Sequence, residues 1–88
     1  MRVVILYHPD SEQEGQVLDY IKTHDLRGPK NRQIELLSLE TKAGAELAKL
    51  YDVTNYPATL AIADNGQLQR LWQSGSLPIM DELDYYLT

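Results

Sequence analysis

Tyr51-Asp52-Val53-Thr54-Asn55-Tyr56-Pro57-Ala58-Thr59-Leu60-Ala61-Ile62-Ala63-Asp64-Asn65-Gly66 carries most of the fold information in this chain. Asn55-Tyr56-Pro57 leads into Ala58 to Ala63, a run of small and branched apolar residues suited to a buried strand. Asp64-Asn65-Gly66 follows, and Asn65-Gly66 reads as a two-residue hairpin turn because both positions tolerate positive φ. The returning strand is Gln67 to Gln73, closed by Ser74-Gly75-Ser76. On the other side lies an amphipathic helix whose apolar positions Ala43, Leu47, Leu50 and Tyr51 fall at i, i+4, i+7 and i+8.

Further outward, Gln33 to Leu39 reads as a strand. Val3 to Tyr7 reads as another, and its unbroken apolar run suits a central strand covered on both faces. Between them, Ser11 to about His24 is helical, with Val17, Leu18 and Ile21 as the inner stripe and Glu12, Gln13, Gln16 and Asp19 on the wet side. Gly28-Pro29 breaks the chain after it. A last helix is expected from about Pro78 to Leu87, with Ile79, Leu83, Tyr86 and Leu87 inward and Asp81 and Glu82 in its early turns. The order is β-α-β-α-β-β-α in a single domain over residues 1–88. Both crossovers are long enough for right-handed parallel units, and the hairpin adds antiparallel pairing. An α/β protein with a four-stranded mixed sheet and helices on both faces is expected.

The 88 residues are 43% hydrophobic, enough for one core despite 24% charged residues. A domain of this size has a net stability of roughly 4 to 13 kcal/mol. The chain has no cysteine, so disulfides, thiolate nucleophiles and cysteine-bound metals are excluded. Two histidines without a ligand motif give no reason to expect a metal, and no cofactor is expected either. The net charge of −5 disfavours nucleic acid and acidic membrane surfaces. Lys22, Arg27, Lys30 and Arg32, opposed only by Asp25, form a basic segment that reads as solvated loop charge. No apolar run approaches a membrane span and the N-terminal run is too short for a signal peptide, so a cytoplasmic protein is expected.

Two stretches resemble the thioredoxin-like superfamily in its minimal, glutaredoxin-sized form. Ile5 to Glu14 looks like the family's first strand running into its active-site loop, and Tyr51 to Thr59 looks like the segment carrying its cis-proline, here Pro57. The resemblance covers essentially the whole chain. It places the two cysteines of the family's Cys-x-x-Cys motif at Ser11 and Glu14, and Ile5 where thioredoxins proper carry a buried acid. Thiol–disulfide exchange needs a thiolate attacking a sulfur, and a hydroxyl has no redox couple. The resemblance therefore implies a thioredoxin fold stripped of redox chemistry.

Ser11-Glu12-Gln13-Glu14 reads instead as a capping box, with the Ser11 hydroxyl accepting from the Glu14 N–H and Glu14 reaching back to the Ser11 N–H. Asp10 with Gln13 is a competing cap one residue earlier. Ser11 as a hydroxyl nucleophile lacks a base of obvious geometry, because His8 lies on the strand side of Pro9. In redox relatives the backbone before the cis-proline holds an extended peptide or glutathione, an edge that needs no protein sulfur. The resemblance thus implies a binding groove formed by Tyr7, His8, Asn55, Tyr56 and Pro57. A binding or interaction module for a peptide-like ligand or protein partner is the leading expectation, with no catalytic residue. A thiol-independent or glutathione-dependent enzyme using the same groove is the alternative. Trp72 is expected to pack with Leu68 on one face of its strand, and Tyr85-Tyr86 to send one ring inward. His24, at a helix end, is given no chemistry.

Overall fold

Val3, Val4, Ile5 and Leu6 are all buried, and the strand they form, β1 (Arg2–Tyr7), lies in the middle of the sheet. The computed structural model describes residues 2–27, 34–73, 77–79, 82–83 and 85–86, with only the backbone of 24–27. After β1 come α1 (Glu12–Arg27), β2 (Glu35–Ser38), α2 (Lys42–Leu50), β3 (Ala58–Ile62) and β4 (Leu68–Trp72). The sheet is mixed, four-stranded and open, in the order β2-β1-β3-β4. Strand β1 runs parallel to β2 and antiparallel to β3, and β4 runs antiparallel to β3.

The second crossover is therefore not the parallel unit expected. Ala58 pairs with Leu6, so the chain returns to the C-terminal end of β1 before β3 begins. The seven residues 51–57 allow this, since an extended stretch of that length spans about 23 to 25 Å. Tyr51 and Thr54 mark the journey: the Tyr51 hydroxyl donates to the Gly66 carbonyl at the hairpin turn, while the Thr54 N–H donates to Gln73 just past the far end of β4.

Alternate side chains of the central strands feed two cores. Val4, Leu6, Ala58, Leu60 and Ile62 face α2, where Leu47, Ala48 and Tyr51 cover them. Val3 and Ile5 face α1, where Val17, Tyr20 and Ile21 pack. The helix stripes are thus shifted from those expected. Leu18 is 50% exposed and Leu50 68% exposed, and Ala43 is exposed too. In α2 the inward row is Gly44, Leu47, Ala48 and Tyr51, at i, i+3, i+4 and i+7 in place of the i, i+4, i+7 and i+8 set expected. Gly44 sits so close to the sheet end that a Cβ there would collide with the Ser38 carbonyl.

The caps of α2 are well defined. The Thr41 hydroxyl accepts from the Gly44 N–H at 3.0 Å. At the other end Asp52 takes a positive φ of 54°, the Val53 N–H reaches the Ala48 carbonyl and the Asp52 N–H reaches Lys49, a Schellman closure built without glycine.

The hairpin also differs in detail. Gly66 has a φ of 89° and Asn65 does not share it. The Gly66 N–H bonds to the Ala63 carbonyl, and the Ala63 N–H to the Gln67 carbonyl. This is a three-residue loop with glycine in the left-handed position, in place of the two-residue turn expected. Further along, Ala61 pairs with Arg70 but Ile62 pairs with Leu68, leaving Gln69 as an extra residue in β4. That bulge inverts the strand's alternation. Leu68 accordingly joins the core under α2, while Trp72 joins the one under α1; they do not share a face.

Trp72 is packing, edge-to-face on Tyr86 with ring centroids 5.4 Å apart. Tyr86 is the inward ring of its pair and Tyr85 the outward one. Of the expected closing helix, positions 80, 81, 84 and 87 lie outside the described residues. Leu83 is fully buried as expected, but Ile79 is exposed. The helix does not extend over the described part of that span: Glu82 and Leu83 are helical, Pro78 and Ile79 are not, and Tyr85 and Tyr86 form a turn. Gly28-Pro29, Ser74 to Ser76, the His24 and Arg27 side chains, and Lys30 and Arg32 also lie outside them. Among the described residues no helix is long and apolar enough to cross a membrane.

Candidate functional site

Three chain segments meet at one end of the sheet. Strand β1 finishes there at Tyr7, β3 begins there at Ala58 opposite Leu6, and β4 finishes there at Trp72 opposite Thr59. The loop into α1 and the loop through Tyr56-Pro57 both emerge at this end, and the Tyr56–Pro57 peptide bond is cis.

The start of α1 is capped, but not by the box expected. The Glu14 carboxylate accepts from the Asp10 N–H at 2.7 Å, one residue earlier than the Ser11 N–H. The Ser11 hydroxyl donates backward to the His8 carbonyl at 2.7 Å, and the Glu14 N–H turns to the Ser11 carbonyl. Asp10 explains the shift. Its φ of 58° tightens the turn after Pro9 and points the Asp10 amide at Glu14. Ser11 and Glu14, the positions matched to the two family cysteines, are thus both engaged in closing the helix entrance.

The loop before Pro57 is held from two sides by glutamines. From β4's end, the Gln73 Oε1 accepts from the Thr54 N–H at 3.0 Å and the Asn55 N–H at 3.4 Å. From α1, the Gln13 Nε2 donates to the Tyr56 carbonyl at 2.8 Å. The Tyr56 hydroxyl folds back onto the Val53 carbonyl at 3.0 Å. His8 then packs edge-to-face on the Tyr56 ring, with centroids 4.9 Å apart. Every one of these contacts to the loop's backbone comes from a side chain.

The Gln13 contact is only half of what a carboxamide can make. Its Oε1 is buried and has no hydrogen-bond partner among the described residues. A neutral hydrogen bond contributes about 0.5 to 1.5 kcal/mol net, while a buried unpaired acceptor costs about 1 to 3 kcal/mol. The Gln13 contact therefore holds less firmly than a fully paired carboxamide would.

Of the residues expected to line a groove, His8 and Tyr56 come together at the surface, and Pro57 is buried in the wall behind them. Asn55 is exposed, with its N–H held by Gln73. Tyr7 turns its half-buried ring into the core under α1. Beside Pro57, where the groove is expected, the Gln13 carboxamide meets the Tyr56 carbonyl, and no pocket opens among the described residues. Gln13 and Gln73 are the two residues the sequence pattern does not single out for this corner. Their contacts span 43 and 19 positions, which no local periodicity encodes.

No protein-family model and no curated protein matches the chain. A solved structure titled "Crystal structure of a designed protein" superposes with a TM-score of 0.59 at 20% identity, over 98% of this chain and 71% of that one. That similarity supports the α/β architecture and carries no functional residue across.

Proposed function

We propose that the chain is a redox-inactive thioredoxin-like domain that binds an extended basic peptide at the corner beside Pro57. Sheet order, a hairpin after Pro57 and the approach of the first helix to the Tyr56 carbonyl support the kinship. The observation that carries the binding reading is the loop from Val53 to Tyr56, whose backbone is met by the side chains of Gln73, Gln13 and Tyr56. Main-chain groups satisfied by side chains can exchange those partners for the main chain of an added strand. The corner also lies at the C-terminal end of parallel strands whose helices leave to opposite faces, where open α/β sheets gather ligands.

Charge selects the peptide. Asp10 and Glu12 are exposed at the same corner of a protein with a net charge of −5, so lysine or arginine side chains are favoured and acidic glutathione is not. Binding is also favoured over hydroxyl catalysis, because Ser11 donates to the His8 main chain while the His8 ring lies on Tyr56. The test is an amide chemical-shift titration with glutathione and with an acetylated, amidated hexapeptide of alternating lysine and valine. The hexapeptide should move amides in residues 7–14 and 54–59, with affinity falling as salt is added. Glutathione should move none. Hexapeptide shifts confined to other regions, or absent, would overturn the reading.

A further inference from the structure

We infer that Gln13 is a displaceable latch on this corner, occupying the Tyr56 carbonyl in the free protein and lowering the affinity for extended peptides; the inference rests on the binding reading above. A carboxamide is chemically a peptide group, with N–H donors and a carbonyl acceptor on one plane. Placed 2.8 Å from the Tyr56 oxygen, the Gln13 Nε2 makes the bond that the N–H of an incoming strand would make. The two donors compete for that acceptor, so a peptide pairing beside Pro57 has to move Gln13 aside.

The geometry makes this movement accessible. Gln13 is half-exposed in the first turn of α1, and its departure disturbs no core side chain. Its Oε1, unpaired while the latch is closed, regains water when it opens. The cap of α1 does not depend on it, since Glu14 and Ser11 make those bonds. The other clamp, Gln73, binds N–H groups of Thr54 and Asn55 and leaves the Tyr56 carbonyl to Gln13 alone among the contacts described.

Two variants separate the hydrogen bond from mere bulk. Gln13→Ala removes the donor and the volume, whereas Gln13→Met keeps a similar volume, adds no charge and offers the Tyr56 oxygen no donor. Each is titrated with the same lysine–valine hexapeptide alongside the wild-type protein, following amides 54–59. Both variants should bind about two- to fivefold more tightly than wild type. Equal or weaker binding by Gln13→Ala, with the shifts at 54–59 retained, would overturn the latch while leaving the binding site in place. A gain in Gln13→Ala but not in Gln13→Met would assign the effect to volume and overturn it as well. No binding by any of the three proteins would remove both the latch and the site.

Discussion

The two ends of β3 are closed in opposite ways. At the hairpin end, main chain meets main chain: Ala63 and Gln67 bond directly, and Gly66 supplies the left-handed residue the loop requires. At the Pro57 end, Gln13, Gln73 and the Tyr56 hydroxyl bond to a loop that has no strand beside it. A main-chain closure is fixed by the fold. A side-chain closure can be undone by rotation about a few bonds, without unfolding anything. The contrast separates a turn closed by main chain from the loop proposed above to accept a peptide.

The comparison breaks most sharply at Gly44, which belongs to the Pro57 end yet packs directly against main chain, the Ser38 carbonyl. Gly44→Ala should lower stability by about 1 to 3 kcal/mol, because the new methyl drives α2's first turn off the Ser38 carbonyl. A denaturant melt with no loss in midpoint would show that this contact gives way freely. At the hairpin end, Gly66→Ala should lower stability by about 1 kcal/mol, through backbone strain alone, since nothing lies within 4 Å of the added Cβ. A smaller effect is expected from Gln73→Ala, about 0.5 kcal/mol, because Thr54 and Asn55 are exposed and water replaces the lost acceptor. Its signature is local. Hydrogen exchange should quicken at the Thr54 and Asn55 amides and stay unchanged at Ala63 and Gly66. Equal acceleration at both ends would erase the distinction drawn between them.

Much of this architecture is legible in the residues themselves. The strand at Val3 to Tyr7, the helix ending near Tyr51 and the run from Ala58 follow from apolar period and from proline placement, and all three are present. The phase of the helix stripes is less legible. Leu18 and Leu50 are as apolar as their buried neighbours, and only the packing of each helix on its core decides which row turns inward. The pairing of Trp72 with Leu68 fails because one bulged residue inverts a period of two, and Gln69 carries no mark of being that residue. The corner beside Pro57 was half visible. His8 and Tyr56 announce themselves as ring-bearing residues at strand and loop ends, whereas Gln13 sits on a helix's polar side and looks like any solvated glutamine. The helix cap shows the same limit, since a Ser-x-x-Glu pattern fits either of two registers until the backbone of Asp10 selects one.

The extra residue in β4 also bears on how copies of this protein treat one another. Strand β4 forms an outer rim of the sheet, and an unbroken rim of amides is a template on which a second chain adds as a ribbon. Gln69 throws that row of donors out of step halfway along, and Arg70 and Gln69 present polar side chains where a neighbour would approach. A single misaligned amide thus makes the margin of the sheet a poorer template for an added chain.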